Sequence, residues 1–140
     1  MLVREAMSRD VKTVTPGQPI QEAARIMLDT DIGALPVGEN DRLVGMVTDR
    51  DIVCKGLTKA GFDPNRAMAR EVMTSKIHCC NEEDDLAKAI RHMEELGVRR
   101  MPVINKSKRM VGMLSLGDVT HAAPEKLAFE YAKSVSAHHH

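Results

Sequence analysis

The sequence is poor in aromatic side chains and contains no tryptophan. Aromatic residues make up 2% of the 140 positions, with one Tyr and two Phe. Proteins that bind single-stranded nucleic acid usually stack the bases on aromatic side chains, and this chain supplies few of them. The composition therefore argues against nucleic acid as a partner.

The chain also lacks net charge, long apolar runs and a cysteine framework. Twenty Lys and Arg balance twenty Asp and Glu, so no global field attracts DNA or anionic lipid. No apolar stretch approaches the roughly 20 residues of a membrane span, and the N-terminus lacks the pattern of a signal peptide. Three cysteines without framework spacing are typical of a reducing compartment. We therefore expect a cytoplasmic protein whose partners include neither a membrane nor a nucleic acid.

What the chain does contain is a repeat of itself. The segment Arg-Glu-Ala-Met-Ser at residues 4–8 returns 66 positions later as Arg-Glu-Val-Met-Thr at residues 70–74. Val44-Gly45-Met46 returns as Val111-Gly112-Met113, after one inserted residue. A repeat of this length indicates two similar supersecondary units. We expect them to pack about a pseudo-twofold axis, because about 60 residues bury too little surface to be stable alone.

Each copy has the pattern of a strand, a helix, two strands and a second helix. The first copy predicts strands at 11–15, 34–37 and 43–47, a helical face of Ile20, Ala23, Ala24, Met27 and Leu28, and a helix from Asp49 that turns Ile52, Val53, Cys54 and Leu57 inward. The second copy predicts strands at 77–80, 101–104 and 110–114, a helical face of Leu86, Ala89, Ile90 and Met93, and a helix from Leu116. A last helix is expected in the tail, residues 123–137, and the three histidines at 138–140 are typical of a purification tag.

Polar residues mark both junctions between the last strand of a copy and the helix that follows it. Thr48 is followed three places later by Asp51, and Ser115 is followed in the same way by Asp118. The start of a helix gathers free backbone N–H groups and favours an anion. A carboxylate at this position can accept hydrogen bonds from two ribose hydroxyls, as acidic residues do in dinucleotide-binding folds. The same spacing is that of a capping box, which needs no ligand, and the two roles are compatible.

These junctions resemble the signature of the cystathionine β-synthase (CBS) domain family. The pattern of Gly, two apolar residues, Thr or Ser, two residues and Asp occurs at 45–51 and at 112–118, and an apolar-Pro-Val strand precedes each. Two tandem copies resemble a Bateman module of the small stand-alone bacterial type. The resemblance implies an α/β (α+β) fold of two β-α-β-β-α repeats, residues 1–66 and 67–122, packed with pseudo-twofold symmetry and followed by a C-terminal helix.

The resemblance further implies a regulatory module that binds an adenosyl ligand without catalysis, in the cleft between the repeats. The ligand would be AMP, ADP, ATP, NAD or S-adenosylmethionine, and the module would form a homodimer and act on a separate, unknown effector protein. The implied ribose and phosphate positions are Thr48, Asp51, Ser115 and Asp118. The implied positions for the base or for phosphate are Thr13, Val14, Ile32, Ala34, Arg50, Cys79, Cys80, Val98, Arg99 and Arg100.

The two copies differ in basic residues near these positions. Gly33-Ala34 in the first stands where Arg99-Arg100 stands in the second, and Arg50 in the first stands where Gly117 stands in the second. We therefore expect the two sites to differ in their preference for phosphate. The alternative for the two arginines is a solvated face on which they pair with Glu94 or Glu95.

Two other functions stay open. The chain could be a structural or interaction module that acts by dimerisation and partner docking without a ligand.

Cys79 and Cys80, with His78, His92 and His121, could offer metal ligands, but adjacent cysteines lack the gap of a zinc site. We therefore expect inert, buried thiols and no metal. The sequence contains neither a phosphate loop nor an evident acid–base pair, so we expect no enzyme activity.

Overall fold

The computed structural model describes residues 1–122 and 125–136, which form two compact units. The middle unit is Lys12–Ile77, and the terminal unit joins Met1–Val11 to the chain from His78 onward. The first eleven residues therefore pack with the second copy of the repeat and not with their own. The repeat boundaries 1–66 and 67–122 describe sequence similarity and stay predictions. The expected tag, and positions 123, 124 and 137 of the expected tail, lie outside the described residues.

The middle unit is built on one antiparallel hairpin. Its elements are the helix α2 (Ile20–Thr30), the strands β1 (Ala34–Glu39) and β2 (Arg42–Thr48), the short helix α3 (Asp49–Asp51), a π-helical turn (Ile52–Gly56) and a 3-10 turn (Ala69–Glu71). Asn40 and Asp41 join the two strands with φ angles of 54° and 63°, a left-handed pair that suits a tight hairpin. The strand predicted at 11–15 is wrong. Only Val14 forms a bridge there, to Val37, so the segment has no ladder of its own.

The terminal unit is built on a three-stranded sheet with the order β3-β4-β5. Its elements are α1 (Val3–Ala6), β3 (Cys80–Asn81), α4 (Leu86–Leu96), β4 (Arg100–Ile104), β5 (Met110–Ser115), α5 (Leu116–Ala122) and α6 (Glu125–Ser136). The strand β3 is parallel to β4, and β4 is antiparallel to β5. The expected C-terminal helix is confirmed by α6, whose Val135 is buried in the core of this unit. The first strand of the second copy is shorter than predicted.

The helical periodicity predicts the whole buried face of α4 and most of that of α2, where Ile20, Ala23 and Met27 are buried. All four apolar residues predicted for α4 are buried. In α2, Ala24 and Leu28 are exposed, because the helix turns Ile26 toward the core in their place.

The inward orientation predicted for the residues after α3 is wrong for three of them. Val53 and Leu57 are 56% and 69% exposed, and Cys54 is exposed as well. Only Ile52 packs against the core. A π-helical turn holds more residues than an α-helical turn, so side chains after Ile52 leave the face that a 3.6-residue period predicts.

The repeated Arg-Glu-X-Met motif crosses to the sheet of the other copy. The backbone N–H of Ser8 donates to the carbonyl of Met113, and the N–H of Met113 donates back, both at 2.9 Å. Thr74 and Met46 form the same reciprocal pair at 2.8 and 2.9 Å. The last residue of each motif is therefore held beside the final strand of a hairpin.

These crossings explain the glycine that recurs in Val-Gly-Met. A Cβ on Gly112 would lie 2.7 Å from the carbonyl oxygen of Ser8, and a Cβ on Gly45 would lie 2.9 Å from that of Thr74. Both distances are shorter than ordinary van der Waals contact, and the atoms contacted belong to backbone that cannot easily move. Glycine is therefore required where the motif passes over the strand.

We expect Gly112→Ala and Gly45→Ala each to lower the free energy of unfolding by about 1–3 kcal/mol, the usual cost of overpacking. Gly38→Ala in the same hairpin as Gly45 is the matched control, because its nearest neighbour would be 3.6 Å away. Urea unfolding followed by circular dichroism measures all three changes. An effect of Gly38→Ala as large as those of the other two would contradict the steric argument.

Candidate functional site

Thr48 and Asp51 cap each other where β2 passes into α3. The backbone N–H of Asp51 donates to Thr48 Oγ1 at 2.9 Å, and the N–H of Thr48 donates to Asp51 Oδ2 at 3.0 Å. The capping interpretation of the spacing is therefore confirmed. The cap uses one carboxylate oxygen of Asp51 and leaves Oδ1 outside it.

Ser115 and Asp118 repeat this arrangement where β5 passes into α5. The N–H of Asp118 donates to Ser115 Oγ at 3.2 Å, and the N–H of Ser115 donates to Asp118 Oδ2 at 3.0 Å. Both aspartates are half-buried. Each unit thus holds one carboxylate in a fixed orientation, with its second oxygen directed away from the cap.

The second oxygen of Asp118 is bound by a residue that the sequence analysis did not identify. Ser8 Oγ donates to Asp118 Oδ1 at 2.9 Å. Ser8 is the last residue of the repeated motif, and its counterpart is Thr74. The sequence did contain a signal for this contact, because the repeated motif ends in a residue with a hydroxyl side chain in both copies.

The second oxygen of Asp51 has a different partner. Lys55 Nζ lies 3.2 Å from Asp51 Oδ1 and also donates to Thr74 Oγ1 at 2.8 Å. Lys55 thus lies between Asp51 and Thr74. In the terminal unit the equivalent residues, Asp118 and Ser8, contact each other directly. No repeat signal could have identified Lys55, because Ala122 occupies the equivalent position.

Two of the strand positions implied by the resemblance lie opposite the capping hydroxyl residues. Ala34 is the cross-strand partner of Thr48, and Arg100 is the partner of Ser115. The first residue of each helix is also hydrogen-bonded to the residue that precedes the first strand of the hairpin. The N–H of Asp49 donates to the carbonyl of Gly33, and the N–H of Leu116 donates to that of Arg99, both at 2.9 Å. Each hairpin therefore brings one of the implied strand positions beside a capping residue, Ala34 beside Thr48 and Arg100 beside Ser115.

The remaining positions differ in exposure. Val14 and Cys80 are 1% and 6% exposed and belong to the cores of their units. The exposed residues are Thr13, Arg50 and Arg99, and the half-buried ones are Ile32, Cys79, Val98 and Arg100. Within the described chain, neither Arg99 nor Arg100 forms an ion pair with Glu94 or Glu95.

A cavity of about 410 Å³ lies beside the two adjacent cysteines of the terminal unit. It is lined by Cys79, Cys80, Asp84, Lys88, Ala89, Arg91, His92 and Glu95. Burial raises the pKa of the Cys80 thiol to about 12, and the neighbouring carboxylate of Asp84 adds to the effect. The same two causes raise the pKa of Cys79.

Both shifts favour the protonated thiol over the thiolate, which is the nucleophilic form. Among residues 1–122 and 125–136, no group of three or more His, Cys, Asp or Glu side chains is arranged to hold a metal ion. The expectation of buried thiols holds for Cys80 and is wrong for Cys54. In the same ranges, no helix has the length and apolar character needed to cross a membrane.

Comparison with known proteins gives a family match in both copies. The model of the CBS domain matches residues 3–55 and 69–125. Hypoxic response protein 1 of Mycobacterium tuberculosis is 40% identical over 133 residues, which are 94% of this chain and 92% of the relative. A crystal structure of Hypoxic Response Protein I with two coordinated zinc ions has a TM-score of 0.78 at 41% identity, over 89% of this chain and 100% of that one.

Two further solved structures contain adenosyl compounds. CBSX2 in complex with AMP has a TM-score of 0.78 at 25% identity, covering 87% of this chain and 95% of its own. The CBS domain pair of protein MJ0100, in complex with methylthioadenosine and S-adenosylmethionine, has a TM-score of 0.73 at 26% identity, covering 86% and 98%.

We expect the three thiols to react with iodoacetamide in the order of their accessibility and thiolate content. At pH 8 the exposed Cys54 should be alkylated first, and Cys80 should be protected until the protein unfolds, because its raised pKa keeps it protonated. Peptide mass spectrometry over a time course measures the three rates, and a sample in urea supplies the unfolded reference. Equal labelling of Cys80 and Cys54 in the folded protein would contradict the burial of Cys80.

Proposed function

The chain belongs to the CBS domain family, and we propose that it is a non-enzymatic module that binds an adenosyl ligand and regulates a separate protein. The observation that carries this proposal is the pair of carboxylates at the strand-to-helix junctions. Each carboxylate is fixed by its cap through one oxygen and directs the other oxygen to side-chain donors. A ribose diol consists of two such donors and would bind in their place.

The ligands of the solved relatives support the ribose assignment. AMP, methylthioadenosine and S-adenosylmethionine share an adenine base and a ribose with two free hydroxyls, and they differ in what the sugar carries. A site common to all three therefore has to recognise the base and the diol. Asp51 and Asp118 would accept from the diol, and Thr48 and Ser115 would hold the two aspartates in position.

We propose AMP, ADP, ATP, NAD or S-adenosylmethionine as the ligand. Cellular nucleotide concentrations require a dissociation constant between about 1 μM and 1 mM, or about 4–8 kcal/mol of binding free energy. The ligand would regulate by binding one conformer of the module more tightly than another. Its position between the two repeats stays a prediction from the resemblance.

We expect Asp51→Asn and Asp118→Asn each to weaken adenosyl binding at its own site by about tenfold to a hundredfold, since a hydrogen bond to a charged acceptor contributes about 1.5–3 kcal/mol. Asn keeps the shape of the side chain and an oxygen for the cap. Asp29→Asn removes the same charge from an exposed position on α2 and should have no effect. Isothermal titration calorimetry with AMP, ATP, NAD and S-adenosylmethionine measures the affinities.

Tight binding that survives both substitutions would refute the ribose assignment. If none of the four compounds binds the native protein, the interaction module without a ligand becomes the better account.

We also propose that two copies of the chain associate and that their output passes to an effector protein. Val53 and Leu57 expose two large apolar side chains on one helical segment, and such surfaces are often covered by a partner. We expect sedimentation velocity to give twice the mass of one chain. Val53→Asp together with Leu57→Asp should yield the monomer, because a buried unpaired carboxylate opposes association. A monomeric native protein would contradict the proposal.

A further inference from the structure

The two carboxylate sites differ in the charge of the group that contacts the second oxygen. In the terminal unit this group is the neutral hydroxyl of Ser8. In the middle unit it is the ammonium of Lys55, 3.2 Å from Asp51 Oδ1. The Asp51 side chain is 13% exposed, so this ion pair is partly shielded from water and is screened less than a surface pair.

Thr74 keeps the ammonium in place by a contact that does not involve the carboxylate. Lys55 Nζ donates to Thr74 Oγ1 at 2.8 Å, and the backbone of Thr74 is fixed to β2 through Met46. A sugar that takes over Asp51 Oδ1 would therefore displace one of two partners of the ammonium and leave the other. The positive charge would stay beside the bound sugar.

We propose that Lys55 determines the charge of the ligand that the Asp51 site accepts. This inference rests on the proposed adenosyl function and narrows it for one of the two sites. A phosphate on the sugar gives the ammonium a new anionic partner in exchange for the carboxylate oxygen it shares. A neutral thioether gives it none, and a sulfonium adds a like charge close by. The Asp51 site therefore selects phosphorylated adenosine over methylthioadenosine and S-adenosylmethionine.

The Asp118 site has no cation at the corresponding place, because Ala122 replaces Lys55. Arg99 and Arg100 supply positive charge to that unit from another element. The role of Lys55 is therefore best measured within the Asp51 site alone, in a protein whose other site is weakened by Asp118→Asn.

The test is calorimetric titration of Asp118→Asn with AMP and with methylthioadenosine. Adding Lys55→Met keeps the length of the side chain and removes its charge, and we expect it to weaken AMP binding by about tenfold or more. Binding of methylthioadenosine should change less than about threefold. Lys55→Arg should restore most of the AMP affinity. Lys59→Met removes the same charge from an exposed lysine that pairs with Glu71, and it should change neither affinity.

The other possible results distinguish a role of Lys55 in ligand specificity from its alternatives. Equal weakening of both ligands by Lys55→Met would assign Lys55 a structural role and overturn the proposal, as would no change in either. If native protein binds AMP and the Asp118→Asn protein does not, the Asp51 site takes no nucleotide and the proposal fails while the proposed function stands. If the native protein binds neither compound nor the other adenosyl ligands, the proposed function itself fails.

Discussion

Each helix that follows a hairpin has, at its third residue, an aspartate whose two oxygens have different partners. Asp51 Oδ2 and Asp118 Oδ2 each accept from the backbone N–H three residues earlier, which fixes the carboxylate against the end of the strand. Because Oδ2 is held in this way, the backbone also fixes the position of Oδ1. Reciprocal caps of this kind contribute about 1 kcal/mol to a helix, and they also orient an acceptor that a ligand can use. Capping and ligand binding therefore depend on the same residue.

The last residue of the repeated motif lies close to each of these junctions. Ser8 and Thr74 both lie against the hairpin of the opposite copy, but only Ser8 contacts its carboxylate directly. Thr74 accepts instead from Lys55, which pairs with Asp51. Gly112 and Gly45 permit that crossing, since a methyl group at either position would meet the backbone of the motif. Lys55 converts a neutral contact at the carboxylate into an ion pair, which makes the two carboxylate contacts chemically distinct.

Local patterns predicted much of the fold, and contacts between distant segments escaped prediction. The caps, the two hairpins and the buried face of α4 follow from spacing within about ten residues, and all of them are present. The partner Ser8 required knowledge of which copy the motif packs on, which no local pattern contains. Lys55 lies four residues after Asp51, a local spacing that the sequence analysis did not use. Val53, Cys54 and Leu57 were misplaced because a π-helical turn changes the period of the helix. The strand at 11–15 failed because a single bridge replaces a ladder.

The proposed function depends on a ribose diol taking the place of Lys55 and Ser8 at the Oδ1 atoms of Asp51 and Asp118. The most direct measurement compares the affinity of AMP with that of an analogue in which both ribose hydroxyls are replaced by hydrogen. In the native protein the analogue should bind at least about tenfold more weakly, because the carboxylates lose their donors. In the protein carrying both Asp-to-Asn substitutions, this difference should largely disappear. An analogue that binds the native protein as tightly as AMP would contradict the account.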